Sequence, residues 1–483
     1  MNLGPRRVLL VNANTYTVPY PVFPLGLARV ASALREAGHT IHWVDCLADD
    51  TPVEAALESF RPDLVGISLR NIDDVAFRKR ETFFGSLFDL CARIRERTRV
   101  PIVVGGSGFS IFPERLLEKS GADFGIQGEG EASLLALIEA LRDGGEIRHI
   151  PGLVFRDGDV VRCNPQVPDR LDRSPAPEDR PERLVEHYVR DSRMLNLQTQ
   201  RGCAHRCCYC TYPLIEGRRH RRRPPESVAD EFAQLAASGV PYVFVVDSVF
   251  NSSPEHVVET CEAILRRGIR LPWGCFLRPQ GLTSELMTLM ARAGLAHIEF
   301  GTDSLSDAVL EAYDKHLGFE DIKRSAELAA AARVDQCHFL IVGGPGETPS
   351  TLEETLERSR LLPDSVFLPI VGMRVYPGTR LRDRALAEGV ISADADLLEP
   401  VHYFAPGLDR EAVQARLAEF GKTDTNWILG EPPPSFASLV ERLRRRGVVG
   451  PLWTYFARLR RLPSGWTANS LREPAPLPDS RRS

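Results

Sequence analysis

No stretch of this chain approaches the roughly 20 consecutive apolar residues needed to cross a bilayer. Its start, MNLGPRRVLLVNANTY, lacks the long apolar core of a secretory leader. The expectation is a cytoplasmic protein with no stable membrane insertion. An excess of either charge is missing too: 60 Lys and Arg stand against 65 Asp and Glu, a formal net charge of −5, so nothing global draws the chain to nucleic acid. Disulfides are not expected in a reducing compartment. Six of the ten cysteines (Cys46, Cys91, Cys163, Cys261, Cys275, Cys337) stand singly among apolar neighbours, the usual setting of inert buried thiols. Internal repeats are absent as well. What is present is 43% hydrophobic residues over 483 positions, enough apolar surface for two or three cores.

From Arg6 to about Arg142, short apolar runs such as RVLLVNA, LVGISL and IVVGG alternate with amphipathic ones such as LGLARVASALREAG and EASLLALIEALRD. In the first of these, Leu27, Val30, Ala31 and Leu34 recur at helical intervals and Gly38 supplies a C-cap. The alternation predicts a doubly wound, Rossmann-like parallel sheet over residues 1–150. Residues 153–163, LVFRDGDVVRC, read as a hairpin turning at Asp157-Gly158, and five prolines among charges over 164–184 read as a linker, so 151–193 separates two units. Over 194–390 the strand and helix alternation resumes six times, from LNLQTQ to VFLPIVGMRVY, which predicts a partial (β/α)6 barrel with ligands at the carboxyl ends of its strands. Residues 391–483 read as a small helical region ending in a disordered tail.

The loop after the first strand of the second series is CAHRCCYC, with four cysteines and a histidine in eight residues. Cys203, Cys207 and Cys210 stand in a C-x3-C-x2-C spacing that Cys208 breaks. Zinc held by these three and His205 is one reading, but structural zinc sites take four closed ligands, often as two pairs, and no second pair follows. Three thiolates on a 4Fe-4S cluster leave one iron open to a further ligand, and this is the better fit. GRRHRRRPPESV (217–228) packs five arginines and a histidine into six positions next to this loop; a solvated charged strand explains it as well as phosphate binding does, and it is not read as an RNA site.

The loop RGCAHRCCYC resembles that of the radical S-adenosylmethionine (SAM) superfamily. VVDSVFN (245–251), IEFGTDSLSDAVLEAYDKH (298–316), FLIVGGPGETPSTLEETL (339–356) and RVYPGTRL (374–381) resemble the later barrel strands of its cobalamin-associated branch. YPVFPLGLARVASALREAGHTIHWVD and IVVGGSGFSIFPERLLEKSGADFGIQGEGEASLLALIEAL resemble the two halves of the cobalamin-binding domain that precedes such barrels, and together the resemblance covers about residues 1–390. It implies an enzyme with three cofactors: a 4Fe-4S cluster on Cys203, Cys207 and Cys210, SAM, and cobalamin. It places SAM beside Tyr209, Asp247, Glu299, Gly301, Asp303, Gly343 and Gly344, and cobalamin beside Ser68, Gly105, Gly106, Gly128, Glu129 and Gly130. The Asp-x-His-x-x-Gly signature that ligates cobalt through histidine is absent, NANTYTVPYP standing there instead, and the charged segment 68–84 is the candidate for a loop facing the cobalt or the barrel.

The function so implied is generation of a 5′-deoxyadenosyl radical and methylation of an unactivated carbon on a small-molecule or lipid-like substrate. An external electron donor such as flavodoxin or ferredoxin is implied with it. A cyclase or carbon-skeleton rearrangement enzyme using the same cofactors is the alternative. A non-catalytic cluster- and corrinoid-binding regulator or electron carrier is the alternative of another class, disfavoured because a carrier has no need of an adenosine pocket. A tRNA methylthiotransferase requires a further cysteine triad in the first domain, and Cys46 and Cys91 do not make one.

Overall fold

Short runs rich in Val, Ile and Leu form the first sheet of this computed structural model: β1 (Arg7–Asn12), β2 (Thr40–Asp45), β3 (Leu64–Ser68), β4 (Ile102–Gly105), β5 (Phe124–Ile126), β6 (Leu153–Asp157) and β7 (Val160–Cys163). The structure describes residues 6–50, 52–74, 81–168, 171, 179–430, 435–453 and 455. The strand order is β2-β1-β3-β4-β5-β6-β7, with β1 to β5 parallel. The hairpin β6–β7, turning at Gly158 with φ +64°, extends the sheet antiparallel as its Asp-Gly turn requires. The first helix, Leu25–Glu36, buries Leu27, Ala31 and Leu34, and the chain leaves it through Gly38 at φ +86°.

The second series supplies β8 (Leu195–Leu197), β9 (Gln200–Arg201), β10 (Arg221–Arg222), β11 (Val243–Val245), β12 (Trp273–Leu277), β13 (Leu295–Asp303), β14 (Asp335–Val342), β15 (Ser365–Val371), β16 (Met373–Arg374) and β17 (His402–Tyr403). β8 and β11 to β15 form one all-parallel sheet in the order β15-β14-β13-β12-β11-β8, the six strands expected of the partial barrel. β9 and β10 form a separate antiparallel ribbon, as do β16 and β17. One apolar cluster runs unbroken from Val8, Leu10 and Leu34 to Leu195, Val243, Trp273 and Ile298, so the two units share a core.

Two regions differ from the sequence expectation. The stretch 151–193 is not linker throughout: Glu182–Ser192 is a helix, because Leu184 and Tyr188 lie one turn apart on its buried face and Arg193 ends it in a left-handed conformation. Residues 391–483 do contain helices, Arg410–Thr423 and Ser435–Arg445, but the short β17 precedes them and Trp453 follows them into the barrel. The expected disordered tail lies outside the described residues beyond 455.

Candidate functional site

The cysteine loop hangs between the strands of the β9–β10 ribbon, in which Arg201 pairs with Arg221. At its root β8 runs into Thr199, whose backbone N–H donates to Asp247 Oδ1 at 2.7 Å while the N–H of Gln200 donates to the same oxygen at 3.2 Å. The Thr199 hydroxyl donates to the other oxygen at 2.5 Å. Gly202 adopts φ +88°, and a side chain there would collide with the carbonyl oxygen of Arg219 across the ribbon, so glycine is required. The loop is closed by Cys203 N–H donating to Gly217 O at 3.0 Å and by the Glu216 carboxylate accepting from Gly202 N–H at 3.0 Å and Gln198 Nε2 at 2.9 Å.

Within the loop Cys203 is buried and Cys207 and Cys210 are half-buried. Burial pushes the Cys207 thiol up and that of Cys210 up to about 12, with Lys315 among the cations that pull both back. Cys208 turns away, as its break in the spacing implies. Its N–H donates to Tyr313 O at 3.0 Å, its carbonyl accepts from Leu381 N–H at 2.9 Å, and its sulfur joins the apolar cluster of Val309, Tyr313 and Leu381. His205 lies edge-on to His220 at 6.2 Å and is held down to about 4 by burial and by Arg278. Among the described residues no three His, Cys, Asp or Glu side chains converge on a single ion position, so a mononuclear zinc site is not built here. Three soft donors in C-x3-C-x2-C spacing on one loop, with Lys315 and Arg278 beside them, fit a multi-iron cluster.

Beside the cysteines, Tyr209 donates its hydroxyl to Asp303, and Lys315 Nζ reaches Asp303 Oδ2 at 2.7 Å and Gly301 O at 2.8 Å. Asp303 ends β13 at φ +66°, a left-handed backbone that a non-glycine residue adopts at a cost of order 1–3 kcal/mol. Three expected residues, Tyr209, Gly301 and Asp303, are thus brought together around a cation that sequence reasoning missed. Lys315 stands inside a quoted strand-end motif, YDKH, yet only the fold carries it back to β13. Arg278, just past β12, is the second omission: its guanidinium donates to the carbonyls of Lys315 and His316 and feels the charges of Cys203, Cys207 and Asp303. Its place one residue beyond a strand end was the available signal.

Four expected SAM residues have other partners. Both Asp247 oxygens are occupied from beneath the loop and the residue is fully buried, which pushes its carboxyl up to about 7 against three hydrogen bonds that favour ionisation. Gly343 and Gly344 are needed because side chains there would strike the Phe404 ring and the Tyr313 hydroxyl. Glu299 faces the barrel interior: Oε1 accepts from Trp453 Nε1 at 3.2 Å, and burial raises its pKa to about 7. Around it lie Tyr20, from the loop after β1, and Arg444, whose Nη1 donates to the carbonyls of Val448 and Gly450 while its Nε and Nη2 are buried without partners.

At the carboxyl edge of the first sheet, Ser68 and Gly105 are register partners at the ends of β3 and β4. Gly106, at φ +98°, brings its backbone so close to the next loop that a Cβ would lie 2.6 Å from Leu69 O and 2.9 Å from Ser68 Oγ. Its lack of a side chain answers to that loop; the backbone of Gly105 and Gly106 stands at the carboxyl edge, where open α/β sheets take their ligands. Gly128 is left-handed, with a Cβ position 2.5 Å from Gln166 Oε1, and Gly130 abuts Val30. Glu129 does not face this edge: its carboxylate pairs with Arg201 at 3.3 Å and with Arg221 Nη1 at 2.9 Å, because the turn points into the second domain. The segment 68–84, described at 68–74 and 81–84, does face the barrel side: Asp73 Oδ2 accepts from Arg374 Nε at 2.9 Å with both side chains buried. The basic run 217–228 is partly structural, since Arg223 reaches Glu231 at 2.6 Å and Arg221 reaches Glu129, leaving Arg218, Arg219 and Arg222 exposed.

Residues 11–138 match the B12 binding domain and residues 197–358 match the radical SAM superfamily. Tryptophan 2-C-methyltransferase of Streptomyces laurentii is 26% identical over 79% of this chain and 74% of its own length. The anaerobic magnesium-protoporphyrin IX monomethyl ester cyclase of Cereibacter sphaeroides is 27% identical over 69% of this chain and 55% of its own. The solved structure of the radical S-adenosylmethionine methyltransferase TsrM from Kitasatospora setae, with cobalamin and a 4Fe-4S cluster bound, superposes with a TM-score of 0.84 at 26% identity and covers 94% of this chain and 98% of that one.

Proposed function

From a chain that sets a B12-binding domain ahead of a radical SAM domain, and so stands among the cobalamin-binding radical SAM enzymes, we propose a methyltransferase acting on an unactivated carbon of a small-molecule or lipid-like substrate. Its cofactors are a 4Fe-4S cluster, SAM and cobalamin. The observation that carries the reading is the meeting of two sheet edges: the β9–β10 ribbon that carries the cysteine loop is tied through Arg201 and Arg221 to Glu131 and Glu129 after β5, while the loop after β3 is tied to the strand after β15. Such an arrangement would set two cofactors to one shared space, which a carrier or regulator does not need.

When bound, the reduced cluster and SAM supply a 5′-deoxyadenosyl radical and the corrinoid supplies a methyl group. The chain's own work is placement and exclusion. Cys203, Cys207 and Cys210 would hold the cluster, Asp247 bracing the loop from below through Thr199 and Gln200. Tyr209, Gly301 and Asp303 would hold SAM, with Lys315 fixing the Asp303 carboxylate. Ser68, Gly105 and Gly106, flanked by Gly128 and Gly130, would receive the corrinoid. Substrate enters the barrel interior beside Glu299, Tyr20 and Arg444, where Trp453 from the C-terminal region closes the apolar wall of Cys337 and Val366 and keeps water from a reactive carbon centre. An external one-electron donor such as flavodoxin or ferredoxin completes the cycle.

Anaerobically reconstituted protein, incubated with reductant, methyl-labelled SAM and extract from cells that make the protein, is expected to form 5′-deoxyadenosine and to place label in a new product. A product of altered carbon skeleton without label selects the cyclase or rearrangement reading, which the cyclase relative favours. No 5′-deoxyadenosine under any condition sinks both.

A further inference from the structure

The turn after β5 and the β9–β10 ribbon belong to different units, yet their ionic groups are bonded to one another. Arg201 donates Nη2 to Glu131 at 2.6 Å, sets Nη1 3.3 Å from Glu129 and donates Nε to Gln198 Oε1 at 3.1 Å. Arg221, its register partner, donates Nη1 to the same Glu129 at 2.9 Å and Nη2 to Glu216 O at 2.7 Å. Glu129 therefore grips both strands from which the cysteine loop is suspended. Side-chain exposures of 7% for Arg201 and 10% for Glu129 set these pairs apart from the solvated ion pairs of the surface, which contribute little.

Buried ion pairs carry a desolvation penalty, and an apolar filling of the same volume is often as stable or more so. What a shared network of forked donors and carboxylates supplies instead is register, because one docking alone satisfies every member. The network sits where register matters: Arg201 stands two residues before Cys203, and Glu129 lies between Gly128 and Gly130, which flank the corrinoid edge. We infer that Glu129 and Glu131 are positioning residues which, through Arg201 and Arg221, set the separation between the cluster loop and the corrinoid edge. This rests on the two-cofactor reading above.

The test uses full-length protein loaded with both metal centres. The reduced cluster and cob(II)alamin are each paramagnetic, so pulsed electron paramagnetic resonance reads the distribution of distances between them. Wild type is expected to give one narrow distribution. Glu129→Gln with Glu131→Gln, at unchanged iron and cobalt content, should broaden it to about twice the width or split it. If the double variant does not load, Glu129→Asp decides, since it keeps the charge and shortens its reach. An unchanged distribution in a fully loaded variant overturns the inference alone, whereas wild type that takes up no iron or no corrinoid overturns the functional reading with it.

Discussion

The two sheet edges that meet at the site are built by opposite means. The second sheet's edge is made of side chains with demanding chemistry: three thiols, a left-handed aspartate, a buried lysine and an arginine. The first sheet's edge is made by leaving side chains out, with Gly105 and Gly106 exposing backbone. On the proposed reading, a small charged ligand and a metal cluster would be held by directed donors, and a large flat ring system by shape. The first kind of site tolerates no exchange of its functional atoms, and the second tolerates no added ones.

Removing a donor is the most damaging test of this contrast. Cys203→Ala, Cys207→Ala or Cys210→Ala should abolish the iron–sulfur absorbance and 5′-deoxyadenosine formation while corrinoid uptake stays at the wild-type level. Cys208→Ala should keep the iron and lower stability by about 1 kcal/mol, measured by denaturant unfolding, since it loses packing alone. Equal iron loss in all four variants would break the distinction between the cysteines. Adding an atom at the other edge comes next in size: Gly106→Ala meets the carbonyl of Leu69 at 2.6 Å in a left-handed backbone, and should weaken corrinoid binding by about 10-fold at constant iron content. A separate effect, on stability, concerns pH. Burial raises Glu299 from 4.5 to about 7, so its contribution to stability is full below 4.5 and is lost as pH rises through 7, a loss of about 3 kcal/mol. In Glu299→Gln the fall in unfolding free energy between pH 5 and pH 8 should shrink by about that amount; an unaltered pH profile would remove Glu299 from the barrel interior.

The same contrast governs what the sequence discloses. Thiols at fixed spacing, strand and helix alternation and an Asp-Gly hairpin are local signals, and each appears in the fold where residue periodicity puts it. The roles of Asp247 and Glu129 were not legible in that way. A carboxylate after a strand looks alike whether it faces a ligand or braces a neighbouring loop, and what decides is a partner distant in the chain, Thr199 for one and Arg201 for the other. Lys315 and Arg278 were missed for the same reason, as their partners lie on other elements. Glycines mislead differently: Gly343 and Gly344 answer to Phe404 and Tyr313, which approach from remote elements. The tryptophan at 453 carries no periodic or spacing signal, and its contact with Glu299 spans 154 positions.

That contact divides labour along the polypeptide. On the function proposed above, radical generation would depend on segments well before residue 390, whereas the wall that Trp453 completes with Cys337 and Val366 comes from beyond it, so transplanting a relative's final hundred or so residues would retarget the enzyme while its cofactor chemistry stays intact.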